Sequence, residues 1–132
     1  MSDNCIFCKI IAGEIPAAKI YEDDKVLAFL DINPVNFGHT LVIPKEHYPS
    51  MIETPDESVG YIYIKVKMLM PVIKKALNAD YVALAVVGED VPHFHIHIIP
   101  RFHNDGLAGF WPTKKYVSGE LERFAEKIKK EI

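Results

Sequence analysis

The chain has 132 residues, 49% of them apolar and 25% charged, with a net charge of -3. That is the balance of a single globular domain over residues 1–132 with a core of its own, and the acidic total gives no electrostatic case for gripping a nucleic-acid backbone. No apolar run approaches the ~18 residues of a membrane span and the opening Met1-Ser2-Asp3-Asn4 is no signal peptide, so the expectation is a cytoplasmic protein without membrane contact.

Taken in order, Ile6, Phe7, Ile10 and Ile11 have the spacing of a short helix that ends at Gly13. Cys5 and Cys8 on it form a C-x2-C pair, which in a reducing compartment favours metal binding over a structural disulfide; free thiols or a redox pair remain alternatives. Lys19 to Glu22 and Val26 to Asp31 read as two strands joined at the Asp23-Asp24 turn, and His39 to Pro44 as a third. Thr54-Pro55-Asp56-Glu57 carries the marks of a helix start, with Thr54 as cap and Glu57 closing a capping box. Val59, Ile62, Val66, Leu69, Met70, Ile73 and Leu77 then recur as a buried stripe, with Met68 beside it as a further packing residue. Pro71 removes a backbone donor, which predicts a kink, and Asn78-Ala79-Asp80 closes the helix.

Tyr81 to Val87 is a continuous apolar run that predicts a buried strand, antiparallel to the next one because the turn between them is short. That next stretch is His93-Phe94-His95-Ile96-His97-Ile98-Ile99. Imidazole and apolar side chains alternate, so a strand would put His93, His95 and His97 on one face and Phe94, Ile96 and Ile98 against the core. Same-face neighbours lie roughly 6.5 to 7 Å apart, too far for all three to grip one tetrahedral ion. The row therefore has to divide its labour among nucleophile, general acid or base, and anion donor. His95, flanked on both sides, is the natural attacker. Ser118 is expected to cap a last helix with Leu121, Phe124, Ala125 and Ile128 facing inward, and His103 to lie on the surface. The predicted class is α+β, with antiparallel strands around one long helix.

The His-x-His-x-His row followed by apolar residues resembles the histidine triad (HIT) family of nucleotide hydrolases and transferases. So do Cys5 to Ile11, Glu14-Ile15-Pro16, Ala28 to Pro34 and Gly38 to His47, so that the likeness runs over about residues 5 to 103. The resemblance implies a five-stranded antiparallel sheet with one long, one amino-terminal and one carboxy-terminal helix, paired into a homodimer. It implies an enzyme acting at the α-phosphate of a purine nucleotide, AMP or its derivatives, on a phosphoramidate or phosphoanhydride. His95 would carry the nucleotidyl group, with His97 and His39 on phosphate oxygens or the leaving group and His93 completing the catalytic row. Asp31 would hold the ribose, and Ile6, Phe7, Ile10, Phe29 and Ile32 would line the base pocket. Cys5, Cys8, His47 and His93 match the zinc ligands of some members, a complete set that makes the ion structural.

One stretch departs from the family. Where most members have a Gly-rich loop ending in Gly-Gln, this chain has Val87-Gly88-Glu89-Asp90-Val91-Pro92, and an ionised carboxylate cannot donate to a phosphate. The rival reading is therefore a nucleotide-binding or sensing module with little turnover. A third is a zinc-stabilised interaction protein. The Gly109-Phe110-Trp111-Pro112-Thr113 segment has a faint likeness to a Trp-Pro element of one branch.

Overall fold

The computed structural model describes residues 4–107 and 112–132. The helices are α1 (Ile6–Ile11), α2 (Asp56–Leu77) and α3 (Glu120–Lys129), and the strands β1 (Lys19–Glu22), β2 (Val26–Leu30), β3 (Thr40–Pro44), β4 (Tyr81–Ala85) and β5 (Ile96–Arg101). One antiparallel sheet holds all five strands in the order β1-β2-β3-β5-β4. This is the α+β architecture expected from the sequence.

The period-two alternation of the strands sorts the core into two layers. Val26, Ala28, Val42, Ile96, Ile98 and Phe94 pack against Ile62, Val66, Leu69 and Ile73 of α2. Leu27, Phe29, Leu41 and Ile43 face the other way, onto Cys5, Phe7, Cys8 and Ile10 at α1. Phe29 pairs with Leu41 and Leu41 with His97, so the imidazole row lies on the α1 face.

Asp23 does more than turn the β1–β2 hairpin. Its Oδ1 accepts from the amides of Lys25 and Val26, while Oδ2 accepts from the hydroxyls of Tyr21 at 2.8 Å and Tyr61 at 2.7 Å, which ties the hairpin to α2. Gly38, just before β3, has φ +96°, and a β-carbon there would lie 2.9 Å from Cγ of Leu77 at the end of α2. Both the backbone conformation and the close approach demand glycine.

Several expectations need correction. The strand begins at Ile96 rather than His93 and runs through Arg101, because the amide of Phe94 is drawn to the carbonyl of Tyr48 at 2.7 Å and that of His93 to the carbonyl of Val91 at 2.8 Å. The run from Tyr81 is an edge strand, not a buried one. It has a neighbour on one side only, and Leu84, Val86 and Val87 are exposed. No capping box forms on α2: its cap is Pro55, and the Thr54 hydroxyl donates to the carbonyl of Ser50 instead. Met68, expected to pack beside the buried stripe, is exposed, while Pro71 lies inside the helix on its exposed side. Asn78 closes it in the left-handed conformation. The cap of α3 is Gly119 rather than Ser118, and Leu121, Phe124, Ala125 and Ile128 are all exposed, since no element of the described chain covers that face. Gly109-Phe110-Trp111 lies outside the described residues.

Candidate active site and metal centre

Six histidines occur in the chain, and the fold gathers five of them at the α1 face. His103 is the exception, exposed and stacked on Tyr81. The five divide into two groups with His95 between them.

The first group is the cluster of Cys5, Cys8, His47 and His93. Nδ1 of His93 lies 3.3 Å from Sγ of Cys5, 3.6 Å from Sγ of Cys8 and 3.1 Å from Nδ1 of His47, which itself lies 3.3 Å from Sγ of Cys8. With metal bonds of about 2.0 to 2.3 Å, the edges of a zinc tetrahedron of two nitrogens and two sulfurs measure roughly 3.3 to 3.8 Å. The donor spacing and the donor types therefore both fit such an ion. The protonation pattern fits too. Nε2 of His93 donates to the carbonyl of Pro44 at 2.8 Å, which leaves Nδ1 as the lone pair aimed at the cluster. Burial, opposed by that hydrogen bond, lowers the His93 pKa from 6.5 to about 4, so the ring is neutral. Both cysteines are buried, and neither forms a disulfide among the described residues.

The second group is Asp31, His39 and His97. Its ligand-type atoms are also close together, with Nε2 of His39 2.9 Å from Nδ1 of His97 and 3.7 Å from Oδ2 of Asp31. Here the proton sits differently. The amide of Val35 donates to Nδ1 of His39 at 3.0 Å, so a neutral His39 must carry its hydrogen on Nε2 and donate it to His97. Nδ1 of His97 is thereby an acceptor, and Nε2 of His97 becomes an N–H donor. Burial lowers both pKa values, with Asp31 opposing it at each ring and His95 adding to it at His97. In this tautomer the two imidazoles relay a hydrogen bond and turn no free nitrogen lone pair to one another's side, leaving Oδ2 of Asp31 as the one acceptor in the group.

His95 lies between the two, its ring 5.0 Å from that of His97 and 5.2 Å from that of Phe7. Its Nδ1 donates to the backbone carbonyl of His93 at 2.7 Å. The lone pair must then lie on Nε2, and no hydrogen bond within the described residues engages it. No buried side-chain nitrogen or oxygen among those residues lacks a partner, so this nitrogen is reachable from outside. An imidazole held in one tautomer with the lone pair of its other nitrogen unengaged can attack an electrophile.

The remaining sequence candidates are split by exposure. Phe7, Ile10 and Phe29 are buried, with Phe7 set edge-on to Phe29, His93 and His95. Ile6 is half-exposed and Ile32 is 90% exposed beside Asp31. Oδ1 of Asp31 accepts from the amide of Asn33, leaving the other oxygen towards His39. Sequence reasoning missed one buried polar group, Arg101. Its Nε donates to Oδ2 of Asp105 at 2.7 Å, and Asn36 donates to the same carboxylate and to the carbonyl of Pro100, which pins the loop before His39 to the end of β5. A cavity of about 610 Å³ lined by Lys25, Lys45, Tyr48 and Tyr61, among others, touches none of the histidines.

The HIT domain family matches residues 12–104. The chain belongs to the HIT family. The matched stretch contains the whole imidazole row and begins just after the Cys5–Cys8 pair. An uncharacterised HIT-like protein of Methanocaldococcus jannaschii is 52% identical over 77% of this chain and 82% of its own length. The adenosine 5'-monophosphoramidase of Schizosaccharomyces pombe is 39% identical over 98% of both chains. Among solved structures, a Streptococcus mutans protein superposes with a TM-score of 0.89 at 37% identity, covering 99% of this chain and 87% of its own. A zinc-bound HIT protein of Mycobacterium smegmatis gives 0.76 at 34%, covering 98% of each. The relatives support nucleotide hydrolase chemistry for this HIT protein at the level of the family.

Proposed function

We propose that this HIT protein hydrolyses a purine nucleotide derivative at its α-phosphate through a covalent nucleotidyl adduct on His95. The observation that carries the reading is the hydrogen bond from Nδ1 of His95 to the carbonyl of His93, which leaves Nε2 as a fixed, accessible nucleophile. A relative of similar length that acts as an adenosine monophosphoramidase supports a phosphoramidate as substrate.

In the first step Nε2 of His95 attacks the α-phosphorus, the bond from phosphorus to the leaving amine breaks, and the Nε2 proton of His97 passes to that amine. His39, donating to Nδ1 of His97, keeps that ring in the donor tautomer. In the second step water attacks the adduct, the phosphorus–nitrogen bond to His95 breaks, AMP leaves, and a water proton restores His97. Asp31 is read as the acceptor for ribose hydroxyls, with Phe7, Ile10 and Phe29 as the floor of the base site and Ile6 and Ile32 at its sides. His93 acts through its carbonyl.

Cys5, Cys8, His47 and His93 would hold zinc, which with all four positions filled by protein supplies structural cross-linking of the amino terminus to the sheet and no open site for chemistry. We read residues 1–132 as one domain and the working form as a cytoplasmic homodimer. The free edge of β4 and the uncovered apolar side of α3 support the pairing.

Incubation with a labelled adenosine phosphoramidate followed by rapid acid-free quenching tests the mechanism. The expected result is a labelled protein adduct, absent from His95→Ala. Turnover that survives in His95→Ala overturns it, and tight AMP binding without adduct in the wild type would favour the sensing module.

A further inference from the structure

We propose that the exposed carboxylates of Glu89 and Asp90 choose the leaving group, admitting an amine and rejecting one that carries additional phosphate. This rests on the hydrolase reading above and names what that same site selects. Strand β4 ends at Ala85, paired with His97 across the ladder, and the chain returns at His93. Residues 86–92 therefore arch beside the catalytic row, with Val91 packed among the residues around α1 and its carbonyl accepting from the amide of His93. Both Glu89 and Asp90 are exposed, and neither enters a hydrogen bond or an ion pair among the described residues. Asp90 is near enough to act electrostatically on His97, as is Asp31.

The charge of the Asp31 and Asp90 carboxylates thus reaches His97, the ring that would meet the leaving group. An anhydride would bring each added phosphate into that field. An amine brings no added anion, and when its nitrogen takes the proton of His97 it is positively charged while still bonded to phosphorus, so the loop carboxylates stabilise that charge until the P–N bond breaks and the neutral amine departs. The bond broken is phosphorus to nitrogen, the electron pair leaves with the amine, and the adenylyl group stays on His95 until water releases it.

Two measurements test the assignment in the wild type and in Glu89→Gln/Asp90→Asn, whose positions are exposed and leave the core untouched. The first is the ratio of kcat/KM for an adenosine phosphoramidate of an alkylamine to that for ADP. It is expected to fall about tenfold in the variant, mainly through faster attack on ADP, and to narrow in the wild type as salt is raised. The second is the ratio of AMP to ADP affinity by calorimetry on a His95→Ala background, expected to fall in the same direction. An unchanged pair of ratios overturns the proposal even if the adduct forms. Failure of the wild type to form an adduct overturns the hydrolase reading instead, and the affinity ratio then still decides whether the loop discriminates by charge.

Discussion

The Cys5/Cys8/His47/His93 cluster and the Asp31/His39/His97 group have similar inventories, each with its ligand-type atoms within 4.8 Å of one another. What separates them is where the backbone puts a proton. A carbonyl, that of Pro44, takes the Nε2 hydrogen of His93 and turns Nδ1 into a lone pair facing two thiols. An amide, that of Val35, fills Nδ1 of His39 and turns Nε2 into a donor facing another imidazole. One set has the donor geometry that fits a cation and the other passes a hydrogen bond, although proximity alone would rank them together. His95 takes its tautomer from the backbone of the first group, and in the proposed reaction it would take its acid from the second.

The largest effect expected from breaking this contrast is on the thiol side. Cys5→Ala and Cys8→Ala should abolish bound zinc, measured by elemental mass spectrometry, and lower the thermal midpoint by on the order of 10 °C or more, since a structural ion contributes folding energy directly. His39→Ala should keep its zinc. Metal lost equally in both variants would erase the distinction. Next, His97→Ala should lower kcat by about a hundredfold or more while adduct formation on a substrate with a good leaving group is spared, because only the proton donor is gone. His39→Ala should show a smaller loss in the same pattern.

The acid response should be of intermediate size. His93, His39 and His97 all have folded-state pKa values below their ordinary 6.5, so the unfolded chain binds more protons as pH falls below that value, and stability rises with pH. Chelator-treated protein should therefore lose stability progressively from about pH 6.5 down to about 4, the value for His93, by a few kcal/mol in denaturant titrations. Added zinc should shift that loss to lower pH, as ligation competes with protons. The smallest effect is expected from Asp31→Asn, with KM for the nucleotide raised about tenfold and kcat nearly preserved, in line with a group that binds rather than reacts.

The sequence revealed the alternation of His93 to Ile98 clearly enough to place three imidazoles on one side of a sheet, and the structure agrees even though only part of that stretch is paired. The sheet, the long helix and its stripe were equally legible. Periodicity failed where it describes a surface without naming what covers it. Leu121, Phe124 and Ile128 are spaced like a buried face and stand in solvent, and the run from Tyr81 is apolar enough for a central strand yet forms an edge. The capping residues misled for a related reason: Thr54 and Ser118 are good caps, but Thr54 is engaged by Ser50, and the amide of Val117 is taken by Glu120. The tautomers were beyond reach from the start, because they hang on the amide of Val35 and the carbonyls of Pro44 and His93, which look alike in any sequence.

Gly38 gives the long helix a say in the chemistry. The tip of α2, through Leu77, rests where the side chain of residue 38 would be, and the next residue is His39. Any bulk added there has to lift either the helix end or the start of β3, and with it the ring hydrogen-bonded to His97. Drift in α2 is thus felt far from its own surface, and a variant repacked at Leu77 would register first as a slower enzyme rather than a less stable one.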